Sequence, residues 1–415
     1  MRFIYNIGIR FYWTVVWLIA PWNSKAKLWI RGRKKWLAGL QKNIGPEDRV
    51  IWFHCASLGE FEQGRPVIES TRKQFPDHKI LLTFFSPSGY EKRKDYQGVD
   101  HVMYLPLDTR KNAKRMLSAL SLEMAIFVKY EFWYYLLLGL KAQKVPVLLV
   151  SGIFRPDQLF FKWYGGWYRK FLGCFTDIFV QTEDSKQLLA KIGYSRVTVA
   201  GDTRFDRVKE LAETSYRNES LELFARGSRV IVAGSTWEKD EQILEQVRQK
   251  LPEQTRWIIA PHELAKTHLE QLKRRFPGSV FFTELDQQIS PQTRVIIVDT
   301  IGQLSYLYRY GTIAYIGGGF GKGIHNTLEA ATYGLPVIFG PAYQKFAEAV
   351  ELVKLGGAFP VQGEVELLST IHQQFQNDAL LKTTSGIAGN YVVERVGATS
   401  AIMDKVCKSS IHNML

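Results

Sequence analysis

Ten short runs of β-branched and aromatic residues, separated by longer helix-compatible segments, constrain this chain more than any other feature. The first five are VIWFH (50–54), ILLTFF (80–85), MAIFV (124–128), VPVLLV (145–150) and DIFVQ (177–181). A polar, charge-rich stretch without strand character, 212–228, separates them from VIVAGS (230–235), WIIA (257–260), VIIVD (295–299), IAYIGGG (313–319) and PVIFG (336–340). Strand and helix alternating at this spacing imply parallel sheets. With 415 residues there is enough chain for two domains of about 200 residues. The expected fold is therefore α/β, two doubly wound Rossmann-like halves facing each other across a cleft, with the chemistry at the strand ends. The expected boundaries are 1–35 for an N-terminal segment, 36–211 for the first domain and 212–415 for the second.

Charge and residue usage narrow the function classes. The chain carries 54 Lys+Arg against 40 Asp+Glu, a formal net charge of +14, so it should attract nucleic acid, anionic lipid or a sugar nucleotide. Three cysteines, none in a Cys-x-x-Cys pair, argue against a disulfide framework or a thiolate zinc site. No Asp-x-Asp pair exists to hold a divalent ion beside a nucleotide diphosphate, and no metal or cofactor is expected. The opening stretch from Phe3 to Asn23 is apolar and aromatic, interrupted by Arg10 and followed by Lys25, Lys27, Arg31, Arg33, Lys34 and Lys35. Its length is marginal for a span of about 20 residues, which favours an interfacial helix whose cationic flank meets lipid phosphates. A core helix with a solvated basic edge is the plainer alternative.

Several strand exits carry chemistry. Glu60 follows the first strand and a small-residue turn (Ala56, Ser57, Gly59), where a carboxylate either compensates a helix dipole or accepts a proton from an attacking hydroxyl. Glu131 follows the strand 124–128 in the same way, and two such exits on one sheet edge can share a cleft. In the second half a glycine-rich loop, Gly317 to Gly323, leads toward His325 and Asn326. Its backbone amides are expected to face a phosphate or carboxylate, although the spacing is not that of a Walker loop. Further exits lie at Gly234-Ser235-Thr236, Pro261-His262 and Asp299-Thr300-Ile301-Gly302-Gln303.

Taken together, His54-Cys-Ala-Ser-Leu-Gly-Glu60, Glu131-Phe-Trp133, Gly201-Asp-Thr-Arg-Phe-Asp206, Ala233-Gly-Ser-Thr-Trp-Glu238, Asp299-Thr-Ile-Gly302 and His325-Asn-Thr-Leu-Glu329 resemble the Kdo (3-deoxy-D-manno-octulosonic acid) transferases of lipopolysaccharide synthesis. The resemblance spans nearly the whole chain. It implies a GT-B fold and an inverting, metal-independent glycosyltransferase that moves Kdo from CMP-β-Kdo to the tetraacylated lipid A precursor. On this resemblance Glu60 is the base and Glu131 its partner in supporting the transition state. Residues 36–211 form the acceptor domain and 212–415 the CMP-Kdo domain. The CMP contacts fall on Pro261, His262, Ile301, Gly302, Gln303, Asn326, Thr327, Leu328 and Glu329, and Lys322 and Arg204 are expected to hold the phosphate and the Kdo carboxylate. The N-terminal helix would lie on the cytoplasmic side of the inner membrane, against anionic lipid, with no nucleic-acid partner. Around these motifs the chain departs from the family pattern at Lys129, Tyr134, His262, Gln303 and 151–155.

Two other readings fit parts of the sequence. A transferase or epimerase of the same architecture that uses a UDP-sugar would be competed by UDP rather than CMP. A basic membrane- or nucleic-acid-binding module would show salt-sensitive binding without turnover.

Overall fold

Strands covered on both faces read as continuous apolar runs, and each expected run is a strand in the computed structural model, which describes residues 2–412. The first sheet comprises β1 (Arg49–Cys55), β2 (Lys79–Phe84), β3 (His101–Tyr104), β4 (Ser121–Val128), β5 (Val147–Gly152), β6 (Asp177–Val180) and β7 (Val197–Val199). Its order is β3-β2-β1-β4-β5-β6-β7, with every pair parallel. The second sheet comprises β8 (Val230–Thr236), β9 (Arg256–Pro261), β10 (Val280–Phe281), β11 (Val295–Ile297), β12 (Ile313–Ile316), β13 (Val337–Phe339) and β14 (Ala358–Pro360). Its order is β10-β11-β9-β8-β12-β13-β14, again all parallel. The central switch in strand order lies between β1 and β4 in the first sheet and between β8 and β12 in the second. Such switch points leave a crevice at the strands' carboxyl ends, where ligands of open α/β sheets bind.

Packing follows the two-residue period of the strands. Val50, Trp52, Ala125 and Phe127 face one core, while Ile51, Phe53, Cys55, Ile126 and Val128 face the other. A fully buried Phe or Leu contributes about 1.5–3 kcal/mol relative to exposure, so both faces of the central strands anchor the sheet and hold their carboxyl ends in place. The second sheet buries Ile231, Ala233, Trp257, Ile259, Ile313 and Tyr315 in one cluster.

The chain divides into two units. One consists of the residues up to Asp206 together with those from Val396, and the other is Arg207–Arg395. The expected second domain, 212–415, differs from this division at both ends. The helix Thr203–Glu213 runs through the expected boundary, and the last helix, Ala398–His412, packs on the helix Leu58–Gln74 of the first unit. Ile402 and Val406 enter the first unit's core, and the Asp206 carboxylate accepts from the Gly397 and Thr399 amides at 2.5 and 2.7 Å. Apolar burial and a charged cap thus draw the C-terminal helix to the first unit.

The N-terminal segment forms two helices, Arg2–Ile19 and Ser24–Gly32, the second capped by Asn23 Oδ1 accepting from the Ala26 amide. Phe3, Ile4, Ile7, Phe11, Trp13, Trp17, Leu18 and Trp22 are exposed, and Val16 is the one buried side chain of the first helix. Among the described residues no helix is long and apolar enough to cross a membrane. One member of the expected cationic flank is corrected. Arg33 lies under the rings of Trp29, Phe85 and Tyr104 at 3.7, 5.0 and 5.0 Å and donates to the carbonyls of Trp29, Phe85 and Leu105. Burial lowers its pKa to about 9. It is a structural cation that satisfies three carbonyls, and it is not available to a lipid phosphate.

Candidate functional site

At the first switch point β1 ends on His54 and Cys55 and β4 leads into Glu131. His54 is fully buried, and its Nδ1 lies 3.1 Å from the carbonyl oxygen of Thr83 and 2.8 Å from Thr83 Oγ1. A carbonyl only accepts, so Nδ1 carries a hydrogen. The other ring nitrogen, Nε2, lies 2.9 Å from Glu131 Oε2, and Trp133 Nε1–H donates to the same carboxylate oxygen at 2.8 Å. The imidazole and the carboxylate therefore face each other along one short hydrogen bond that a single proton fills, with the indole as a second donor. Trp52 Nε1–H donates to Thr83 Oγ1 at 2.9 Å, which extends the buried network one strand further.

The chain reaches this geometry through Lys129, which sits between β4 and Glu131 at φ 63°, a left-handed conformation that costs a non-glycine residue about 1–2 kcal/mol. The turn directs Glu131 back toward β1. Glu60 approaches from the other side, in the first turn of the helix Leu58–Gln74, half-buried, with the hydroxyl of Ser57 donating to its Oε2. Both carboxylates flank the buried Cys55 thiol closely enough to act on it: burial raises its pKa first, and the charges of Glu60, Glu131 and Glu62 raise it further. Tyr130 adjoins them, its phenol pKa raised by burial and also by Glu60, with Arg155 5.9 Å from its ring. A partly exposed carboxylate beside one oriented by a buried imidazole is an arrangement suited to proton abstraction and to stabilising positive charge.

The second switch point is built from rings. His262 N–H donates to the Thr236 carbonyl at 2.9 Å, which places its imidazole 4.5 Å from Trp237 and 4.5 Å from His325, both stacked at 23°. Trp237 Nε1–H donates to His325 Nε2 at 3.1 Å, so the hydrogen of the neutral imidazole sits on Nδ1. Burial, with His262 beside it, lowers the His325 pKa to about 4. A cavity of about 290 Å³ opens here, lined by Trp237, Lys239, Phe320, Lys322 and His325.

The glycine loop differs from its expected role. The amides of Gly317, Gly321 and Gly323 donate to carbonyls of Gly234 and Gly318, and the Gly318 amide donates to Asp240. A Cβ at Gly317 would lie 2.4 Å from the Ser235 carbonyl, and one at Gly319 2.5 Å from the Gly340 amide. These glycines let three strand ends pack backbone on backbone, so those amides are spent within the protein. The helical segment that follows is only Leu328–Ala331. Asp240, which the sequence did not single out, organises the corner: fully buried, it accepts from the Trp237 and Gly318 amides at 2.9 Å each and from Tyr315 O–H at 2.7 Å. Its position three residues after Trp237, at a helix start, is the capping spacing that could have revealed it.

The remaining candidates separate. Asn326 accepts from the Leu328 amide at 3.1 Å and donates to Glu329 Oε1 at 3.0 Å, so it holds that carboxylate in place. Thr327 and Leu328 are fully buried, side chain and backbone alike. Pro261 ends β9 beside His262. Ile301, Gly302 and Gln303 follow β11, with Ile301 exposed, Gly302 at φ 88° and Gln303 Oε1 accepting from Tyr216 O–H at 3.0 Å. Arg204 belongs to the first unit, where the nearly buried carboxylate of Asp202 binds its guanidinium at 2.8–2.9 Å.

Residues 31–207 match a sequence profile described as 3-deoxy-D-manno-octulosonic-acid transferase (kdotransferase). A 3-deoxy-D-manno-octulosonic acid transferase of Aquifex aeolicus is 29% identical over 331 residues, covering 78% of this chain and 85% of the relative. One of Bordetella pertussis is 25% identical over 438 residues, covering 97% and 98%. Among solved structures, a UDP-GlcNAc 2-epimerase from Neisseria meningitidis superposes with a TM-score of 0.59 at 17% identity, over 87% of this chain and 100% of its own. MurG of Acinetobacter baumannii does so at 0.53 and 12%, over 87% and 99%. At such identities these structural likenesses speak for the fold alone. By sequence this chain is similar to the 3-deoxy-D-manno-octulosonic acid transferases over most of its length, and its fold is that of the GT-B glycosyltransferases and epimerases.

Proposed function

We propose that the protein transfers Kdo from CMP-Kdo to a hydroxyl of a lipid A precursor, with inversion and without a metal. The observation that carries this reading is the carboxylate pair at the first switch point, where Glu131 is tied to His54 and Trp133 while Glu60 is half-exposed and hydrogen-bonded to Ser57. In the reaction the acceptor hydroxyl gives its proton to Glu60 as its oxygen bonds to the anomeric carbon, and the bond from that carbon to the CMP phosphate breaks. Positive charge that develops on the sugar is met by the electron-rich side of the Glu131–His54 pair. CMP leaves as an anion, and Lys239, Lys322 and the Nδ1–H of His325 around the second unit's cavity are the groups suited to receive it. The exposed apolar helix Arg2–Ile19 with its basic flank suits attachment to an anionic inner-leaflet surface.

The test is mass spectrometry of a lipid A precursor incubated with CMP-Kdo. Addition of one or more Kdo masses by the native protein, abolished in Glu60→Gln, is the expected result. Near-normal transfer by Glu60→Gln would remove the assigned base. Inhibition by UDP but not CMP would redirect the donor to a UDP-sugar.

A further inference from the structure

We propose that an aromatic groove beside Glu131 seats one acyl chain of the acceptor lipid, with the N-terminal helix as one wall. The inference rests on the acceptor reading above and deepens it. The groove encloses about 560 Å³, within the range of roughly 300–1,000 Å³ typical of ligand sites. Ile4 and Tyr5 of the helix Arg2–Ile19 form one side, Tyr130 and Phe132 a second, and Leu159 and Phe160 a third. Trp167 and Phe171 of the helix Gly166–Leu172 close the back. The rings interlock, Phe132 with Phe160 at 4.8 Å, Tyr5 with Trp167 at 6.1 Å and Trp167 with Phe171 at 4.8 Å, so the walls are in place before any ligand arrives.

The chemistry of the lining selects the occupant. No lysine or arginine lines the groove, its one charged member is the carboxylate Asp157, and the Tyr5 hydroxyl is already given to Asp108, so a phosphate would meet no cation there; Gln158, Tyr130 and Tyr168 are the other polar members of a mainly apolar wall. A hydrocarbon chain gains apolar contact with the rings and aliphatic side chains that make up most of the wall. Leu159 is 40% exposed, Ile4 63% and Trp163 91%, which continues the apolar surface outward onto the exposed face of the first helix. The inner end decides between a chain of the acceptor and a chain of bulk lipid. Tyr130 and Phe132 are the residues on either side of Glu131, and Tyr130 is near enough to Glu60 to feel its charge. A chain lying there belongs to a molecule whose polar part is at the two carboxylates.

The experiment compares two acceptors, the acylated lipid A precursor and its fully deacylated, water-soluble disaccharide, in native protein and in Leu159→Asp. The substituted residue is surface-accessible, so the fold should persist. The expected result is a KM for the acylated acceptor raised about tenfold, the effect of roughly two methylenes losing apolar contact. Turnover of the deacylated acceptor and co-sedimentation with anionic phospholipid vesicles should be unchanged. Leu159→Trp, which narrows the groove without adding charge, should shift preference toward shorter acyl chains. An unchanged KM for the acylated acceptor, an equal loss on both acceptors, or a loss that follows vesicle binding would each overturn the groove while leaving Kdo transfer standing. Absence of transfer by the native protein to either acceptor would overturn both.

Discussion

At the first switch point the groups are two glutamates, one of them tied to a buried imidazole; at the second they are stacked rings edged by two lysines. The two sheets have nearly the same topology, so the strand scaffold does not determine the chemistry at its edge. What differs is the residue that follows each central strand. Glutamates there suit proton handling, and Trp237, His262 and His325 suit flat rings and anions. The contrast breaks most directly at Glu60. Its replacement by Gln keeps size and removes the base, so kcat for Kdo transfer should fall by roughly 10²–10⁴. Donor binding, measured by CMP titration into the ring cluster, should be unchanged. A parallel loss of CMP affinity would mean that the division of labour is wrong.

The next effect is on stability and belongs to the second unit. Asp240→Ala leaves the Trp237 amide, the Gly318 amide and the Tyr315 hydroxyl without their acceptor in a buried corner. At about 1–3 kcal/mol for each unsatisfied buried donor, the loss should be at least about 3 kcal/mol in denaturant unfolding. Below about 1 kcal/mol, Asp240 would not be what holds the glycine loop. A smaller, kinetic effect is expected at His54, which acts through Glu131 and is therefore a positioning residue. In His54→Gln kcat should fall about 10–100-fold, the worth of hydrogen bonds to a charged group. The KM for CMP-Kdo should hold, and the pH profile of kcat should move, a change that a merely structural role would not produce.

The sequence made the interior of each sheet legible and left its borders and neighbours obscure, for physical reasons. All ten apolar runs are strands, and the four strands that escaped notice, β3, β7, β10 and β14, are the four sheet edges. An edge strand of two to four residues has one partner and no long buried run to mark it. Glu60 and Glu131 could be suspected singly, because each follows a strand, yet their meeting depends on β1 lying beside β4, which no local pattern reveals. The glycine loop misled for a related reason. Glycines permit both an anion cradle and backbone-on-backbone packing, and at Gly317 and Gly319 the second use prevails. Arg33 reads as a surface cation in the sequence because two of the aromatic residues that cover it, Phe85 and Tyr104, lie far along the chain.

The smallest effect sharpens the comparison through pH, because one group in each unit, the half-buried His325 and the buried Asp108, titrates with the opposite sense. His325, ordinarily near 6.5, is lowered to about 4, mainly by burial and then by His262. The unfolded chain therefore takes up its proton first, and the stability this group permits is full above about 6.5 and is lost as pH falls toward 4. Asp108 is raised from 3.8 to about 6, chiefly by burial, although Tyr5 O–H and the amides of Tyr135 and Leu136 donate to it and pull the other way. Here the folded form keeps the proton, so its contribution is full below 3.8 and is lost as pH rises through 6. Between pH 4 and 6 the two slopes oppose, and thermal unfolding of the native protein should change less across that window than either variant does. His325→Gln should remove the destabilisation on acidification, leaving stability to rise as pH drops. Asp108→Asn should do the reverse and steepen the acid loss. If both variants keep the native pH dependence, neither group is buried as the structure places it.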